Sequence, residues 1–155
     1  MFRVVLDPGV LISATLSRTG APAQLLLLWI EGRFEVVVSP QLLAELERVL
    51  LRPKFRERMT ERDALAYVAL LARRGIFIED PAQREQLAPD PHDDYLLALA
   101  RVSGARFVIS GDTHLTKLQT TGLPVLTPRA FLDMLRTMDL EARTVLTFPR
   151  TATQE

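Results

Sequence analysis

Short apolar runs alternate along this chain with longer stretches in which apolar residues recur every three or four positions. Val4–Leu6, Phe34–Val38, Ile76–Ile78, Phe107–Ile109 and Val125–Leu126 are short, rich in β-branched or aromatic residues, and bounded by Gly, Pro or Asp. That is the pattern of buried strands. Between them the helical period predicts helices over Ala21–Glu31, Pro40–Leu51, Glu61–Arg73, Pro91–Ser103 and Pro128–Thr137. Ser39-Pro40 and Thr127-Pro128 place a hydroxyl at the N-cap and proline at the first helical position, and Asp90-Pro91 does so with a carboxylate. Thr60 caps the helix that begins at Glu61, and Gly32, Gly75 and Gly104 mark helix ends.

The strand–helix rhythm, with strands apolar on both faces, predicts an α/β fold with a mostly parallel central sheet covered by helices on two sides. From about Asp139 the pattern is lost. The stretch 139–155 is expected to be a C-terminal extension, either an edge strand through VLTF at 145–148 or a flexible tail.

Composition narrows the chemistry. The 155 residues suit one domain with a full core. No apolar stretch approaches membrane-spanning length and no signal-peptide pattern opens the chain, so a cytoplasmic location is expected. Cysteine is absent, which removes disulfides and thiolate metal sites. Basic and acidic residues balance at 19 each, so any nucleic-acid contact must come from a local basic patch. The two histidines, His92 and His114, are too few for a histidine-rich zinc site. Neither a glycine-rich phosphate loop nor a Gly-x-Ser-x-Gly elbow is present.

The acidic residues fall in a telling order. Ligands of a parallel α/β sheet bind beyond the carboxyl ends of its strands. Asp7 ends the first strand and Asp112 follows the strand Phe107–Ile109. Asp93 and Asp94 lie in the first turn of the helix that precedes that strand, so they face the same rim. Glu45 and Glu47 flank the apolar arc of their helix, each roughly 100° from its centre, and the wheel does not choose between them. Each acid has a local explanation: Asp7 as a turn former before Pro8-Gly9, Asp93 and Asp94 as partners of the helix dipole, Asp112 as an N-cap. Jointly they imply more. Carboxylates brought close together repel unless a cation neutralises them, and hard oxygen ligands select Mg²⁺ or Mn²⁺.

RVVLD at 3–7, SPQLLAELERVL at 39–50, DPHDDYLLALA at 90–100, VISGD at 108–112 and LTPRAFL at 126–132 occur in that order. In this the chain resembles the PIN-domain family, specifically the VapC-like toxins of toxin–antitoxin systems, over about residues 1–138. The resemblance implies a three-layer α/β/α sandwich and a metal-dependent ribonuclease that leaves 5′-phosphate and 3′-hydroxyl ends. It carries the catalytic and metal-binding roles to Asp7, Glu45, Asp93 and Asp112, and selects Glu45 over Glu47. Asp90, Asp94, Ser110 and Thr113 become outer-shell candidates. An antitoxin protein and a second copy of the chain are implied partners. Where the family usually reads Thr-Asn-Val after the first aspartate, this chain has Pro8-Gly9-Val10. Loss of that supporting amide and hydroxyl leaves a weakened PIN scaffold that binds RNA or protein as the competing reading. For RNA contact the richest basic stretch supplies Arg48, Arg52, Lys54 and Arg56, followed by Arg58 and Arg62. The apolar run at 25–30, with Trp29, is expected in the core or on an interaction surface.

Overall fold

The structure, a computed structural model, describes residues 1–82, 88, 90–118 and 122–147, with the side chain of His92 outside the description. It contains five strands, β1 (Arg3–Leu6), β2 (Glu35–Val38), β3 (Ile76–Phe77), β4 (Phe107–Ile109) and β5 (Val125–Leu126). They form one sheet in the order β3-β2-β1-β4-β5. Every pairing is parallel, with Val5 opposite Val37 on one side and Val108 on the other. Val4, Val5, Leu6, Val36, Val37, Val38, Val108 and Ile109 are buried, which is why these strands read as continuous apolar runs.

Among the described residues seven helices cover the sheet: α1 (Pro8–Leu16), α2 (Ala21–Ile30), α3 (Pro40–Leu50), α4 (Glu61–Arg74), α5 (Pro91–Ser103), α6 (Thr113–Thr116) and α7 (Pro128–Thr147). A single 3₁₀ turn, Pro53–Phe55, links α3 to α4. The hydroxyl caps are as the sequence predicts: Ser39 accepts from the Leu42 amide, Thr60 from Asp63 and Thr127 from Ala130. Gly32 and Gly104 adopt the left-handed backbone that favours glycine. Gly75 serves differently. A Cβ there would lie 2.7 Å from the Leu71 carbonyl oxygen and 2.9 Å from a Val38 methyl, so it permits close packing of α4 on β2.

Two segments differ from expectation. Pro8-Gly9 is not a turn but the first helical turn of α1, with Asp7 as its N-cap and proline at N1. Asp-Pro-Gly carries both turn and helix-start signals, and α1 buries Pro8, Val10 and Leu11 while packing against α2 and α3. At the other end, α7 does not stop at Thr137 but continues to Thr147, so residues 145–147 are helical and not an edge strand. Phe148 lies outside the described residues. Arg33 reaches across to pair with Asp139, and Arg136 donates to Gln24 at 2.6 Å, fastening this helix to α2 and the turn after it.

The run at 25–30 is part core and part surface. Leu25 and Trp29 are buried, while Leu27 is 59% and Ile30 42% exposed. Rings gather at the amino end of the sheet. Phe2 precedes β1, Phe34 precedes β2 and Phe107 opens β4; Phe131 of α7 meets Phe34 and Phe2 edge-on, 5.1 Å and 6.2 Å between centroids, and Phe107 at a tilt. Among the described residues no helix is long and apolar enough to cross a membrane.

Candidate active site

Strand order places the crevice. The chain builds outward from β1 through β2 to β3, then returns to lay β4 and β5 on the other side, so the switch point lies between β1 and β4. The Asp7 amide donates to the Ile109 carbonyl at 2.9 Å, which continues the β1–β4 ladder to the carboxyl rim.

At that rim Asp7 is tightly held. Its Oδ1 accepts the Gly9 amide at 3.0 Å and its Oδ2 accepts the Ser110 hydroxyl at 2.7 Å. Ser110 is fully buried, and its oxygen also accepts the Asp112 amide at 3.0 Å, so one side chain ties both strand-terminal aspartates together. Asp112 Oδ1 in turn accepts the His114 amide at 2.8 Å and caps α6. The local and the joint readings of these acids therefore coexist: both are N-caps, and both face one crevice.

The remaining acids arrive from two helices. Burial pushes the Asp7 carboxyl above the ordinary range; the Glu45 and Asp112 charges add to that, while the Gly9 and Ser110 hydrogen bonds oppose it. Asp93 is also raised, first by burial and then by the Asp112, Asp90 and Asp7 charges, with His114 pulling the other way. Asp7, Glu45, Asp93 and Asp112 thus feel one another electrostatically. Among the described residues, however, no three acidic or histidine side chains close into a ligand cluster, as mutual repulsion dictates for bare carboxylates. The donor chemistry fits a hard divalent cation.

Two clefts meet at Asp112. One, of about 360 Å³, is lined by Asp90, Asp93, Asp112, His114 and Leu118. The other, of about 440 Å³, runs beneath Asp7, Gly9, Ser13, Pro22, Gly111 and Pro128. Asp90 therefore borders the acidic crevice, whereas the Asp94 carboxylate accepts the Ala88 amide at 3.0 Å and serves the loop before α5. Thr113 is exposed at the start of α6.

Two residues missed by the sequence reading stand behind the rim. The Tyr95 hydroxyl donates to Glu45 Oε2 at 2.6 Å. Asp80 Oδ2 accepts the Gln41 amide at 2.9 Å, while its Oδ1 is buried without a hydrogen-bond partner among the described residues. A signal for Asp80 was present: Asp80-Pro81 follows the third strand as Asp7-Pro8 follows the first.

The basic stretch does not act as one strip. Arg56 folds under to the Leu50 carbonyl, with Nε and Nη1 buried. It follows the 3₁₀ turn, where a long donor meets the open carbonyls at the end of α3. Arg58 donates to the Leu16 carbonyl at 3.0 Å, and Lys54 sits 5.2 Å over the Phe55 ring. Arg48, Arg52 and Arg62 are exposed.

Comparison with known proteins accords with this architecture. The PIN domain model matches residues 3–114. An uncharacterised protein of Methanocaldococcus jannaschii is 26% identical over 140 residues, covering 84% of this chain and 90% of that one. Among solved structures, PAE2754 from Pyrobaculum aerophilum superposes with a TM-score of 0.59 at 14% identity, covering 88% of this chain and 90% of that one. VapBC2 from Rickettsia felis, bound to a DNA fragment from its promoter, gives 0.57 at 12% identity over 81% of this chain and 98% of that one. VapC20 from Mycobacterium tuberculosis, a toxin that cleaves the sarcin-ricin loop, gives 0.52 at 17% identity over 76% and 95%. At these identities the structural likenesses establish the fold.

Proposed function

The chain belongs to the PIN-domain family, and on that premise we propose that it is a divalent-metal-dependent endoribonuclease of single-stranded RNA, the toxin of a toxin–antitoxin pair. The observation that carries this reading is the Ser110 hydroxyl tying Asp7 to Asp112 beside the switch point, with the Glu45 charge felt by Asp7 and the Asp7 and Asp112 charges felt by Asp93. Asp7, Asp93 and Asp112, with Glu45 in support, would hold Mg²⁺ or Mn²⁺. When bound, such an ion polarises the phosphate and lowers the barrier to in-line attack by water.

The chain's own groups set the stage for that step. Gly9 and Ser110 fix the direction of the Asp7 carboxylate even with Pro8-Gly9 after it. This supports an active enzyme over the weakened scaffold. The crevice on the Asp93 side and the one on the Asp7 side offer room for the nucleotides flanking the scissile phosphate. Exposed Arg48 and Arg52 supply phosphate contacts. A cognate antitoxin and a homodimer follow from the same reading, as does action in the cytoplasm.

Cleavage of an end-labelled single-stranded RNA in Mn²⁺, by wild type and by Asp93→Asn, tests the proposal. Cleavage that disappears in the variant and in chelator upholds it. Equal cleavage by both, or none by either, favours the binding scaffold.

A further inference from the structure

Tyr95 lies two residues beyond Asp93 on α5, its ring closed into the core at 1% exposure. A buried phenol needs a hydrogen-bond acceptor. This one has taken the carboxylate of Glu45, on another helix, at a distance typical of a strong charge-assisted bond. Glu45 is half-exposed, at the edge of the apolar face of α3. Its charge and that of Asp7 repel, which favours a carboxylate turned away from Asp7.

We propose that Tyr95 is a positioning residue whose hydroxyl holds the Glu45 carboxylate at the acidic rim against the repulsion of Asp7. The role at the metal rests on the nuclease reading above; the restraint on Glu45 does not. Asp80 braces the same arrangement from the β3 side. Its carboxylate grips the Gln41 amide, one helical turn before Glu45 on α3. Burial, the bond to Glu45 and the charges of Glu45, Asp7 and Asp80 all push the Tyr95 phenol upward, so it remains a proton donor throughout the physiological range. Helix α5 therefore serves the rim twice, presenting Asp93 directly and restraining Glu45 through Tyr95.

Tyr95→Phe keeps the ring in the core and removes only the donor. Calorimetric titration with Mn²⁺ is expected to show about 10-fold weaker binding, the range typical of lost supporting contacts. Introduced into Glu45→Ala, the same change is expected to cause no further loss, because the group it restrains is gone. A crystal structure of metal-free Tyr95→Phe should show the Glu45 carboxylate turned away from Asp7. Equal Mn²⁺ losses in both backgrounds, or Glu45 unmoved in the variant, would overturn the proposal. Should wild type bind no Mn²⁺, the nuclease reading fails, and the position of Glu45 in Tyr95→Phe still decides what the tyrosine does.

Discussion

The two ends of the sheet are built from the same strands on opposite principles. At the amino end, Phe2, Phe34 and Phe107 close over the openings of β1, β2 and β4; Phe2 and Phe34 meet Phe131 edge-to-face, and Phe2 meets Phe107 the same way. Such pairs add about 0.5–1.5 kcal/mol each beyond their burial. At the carboxyl end, Asp7 and Asp112 finish β1 and β4, and two helices add Asp93 and Glu45. There burial and then neighbouring acids raise the pKa values of Asp7 and Asp93. One end is built for stability; the other keeps an electrostatic strain on acids of which two also cap helices.

Substitutions at the two ends should separate these roles. Phe131→Ala empties the aromatic cluster and is expected to lower unfolding free energy by about 3–5 kcal/mol, read by urea denaturation. The folded fraction should still cleave RNA at the wild-type rate. Asp93→Asn should do the reverse: cleavage falls by at least about 100-fold, the upper end of what losing one supporting contact costs, while the melting temperature holds or rises. A large loss of stability in Asp93→Asn would mean that the acid is a structural cap and would erase the contrast.

The pH response sharpens the same comparison. Asp7 titrates above its unfolded value of 3.8. Within the window between those two values the folded chain binds more protons than the unfolded one, so stability contributed by this group falls as pH rises. In metal-free protein between about pH 4 and 7, Asp7→Asn should therefore flatten the decline relative to wild type, whereas Phe131→Ala should leave the slope alone. Identical slopes for wild type and Asp7→Asn would show that Asp7 carries no strain.

The smallest effects belong to the basic segment. Arg52→Ala is expected to weaken RNA binding several-fold and to lower the salt slope by about 0.7, with no change in melting temperature. Arg56→Ala should cost about 1 kcal/mol of stability through the lost bond to Leu50 and leave the salt slope unchanged. Filter binding over a salt series, beside thermal unfolding, checks both.

These regions also differ in how far the sequence exposed them. The acids were legible because each closes an element whose direction the hydrophobic pattern already fixes. Tyr95 was quoted within a motif but given no role, since its bond to Glu45 spans 50 positions. The bond from Arg56 to Leu50 was not legible because contiguous charges look like a surface strip, whereas a long guanidinium can turn back onto a nearby carbonyl. Helix α1 escaped because Asp-Pro-Gly begins turns and helices alike, and its apolar residues Val10, Leu11, Ile12, Ala14 and Leu16 follow no clear amphipathic period.

By itself, the order of apolar runs, caps and prolines determined the elements and the parallel sheet, because backbone hydrogen bonding and burial at strand and helix periods are local constraints. Only the tertiary structure decided the strand order, the length of α7, the Ser110 bridge between Asp7 and Asp112, and the grip of Tyr95 on Glu45. Those depend on side chains far apart in the chain meeting at distances of about 3 Å, which no local period encodes.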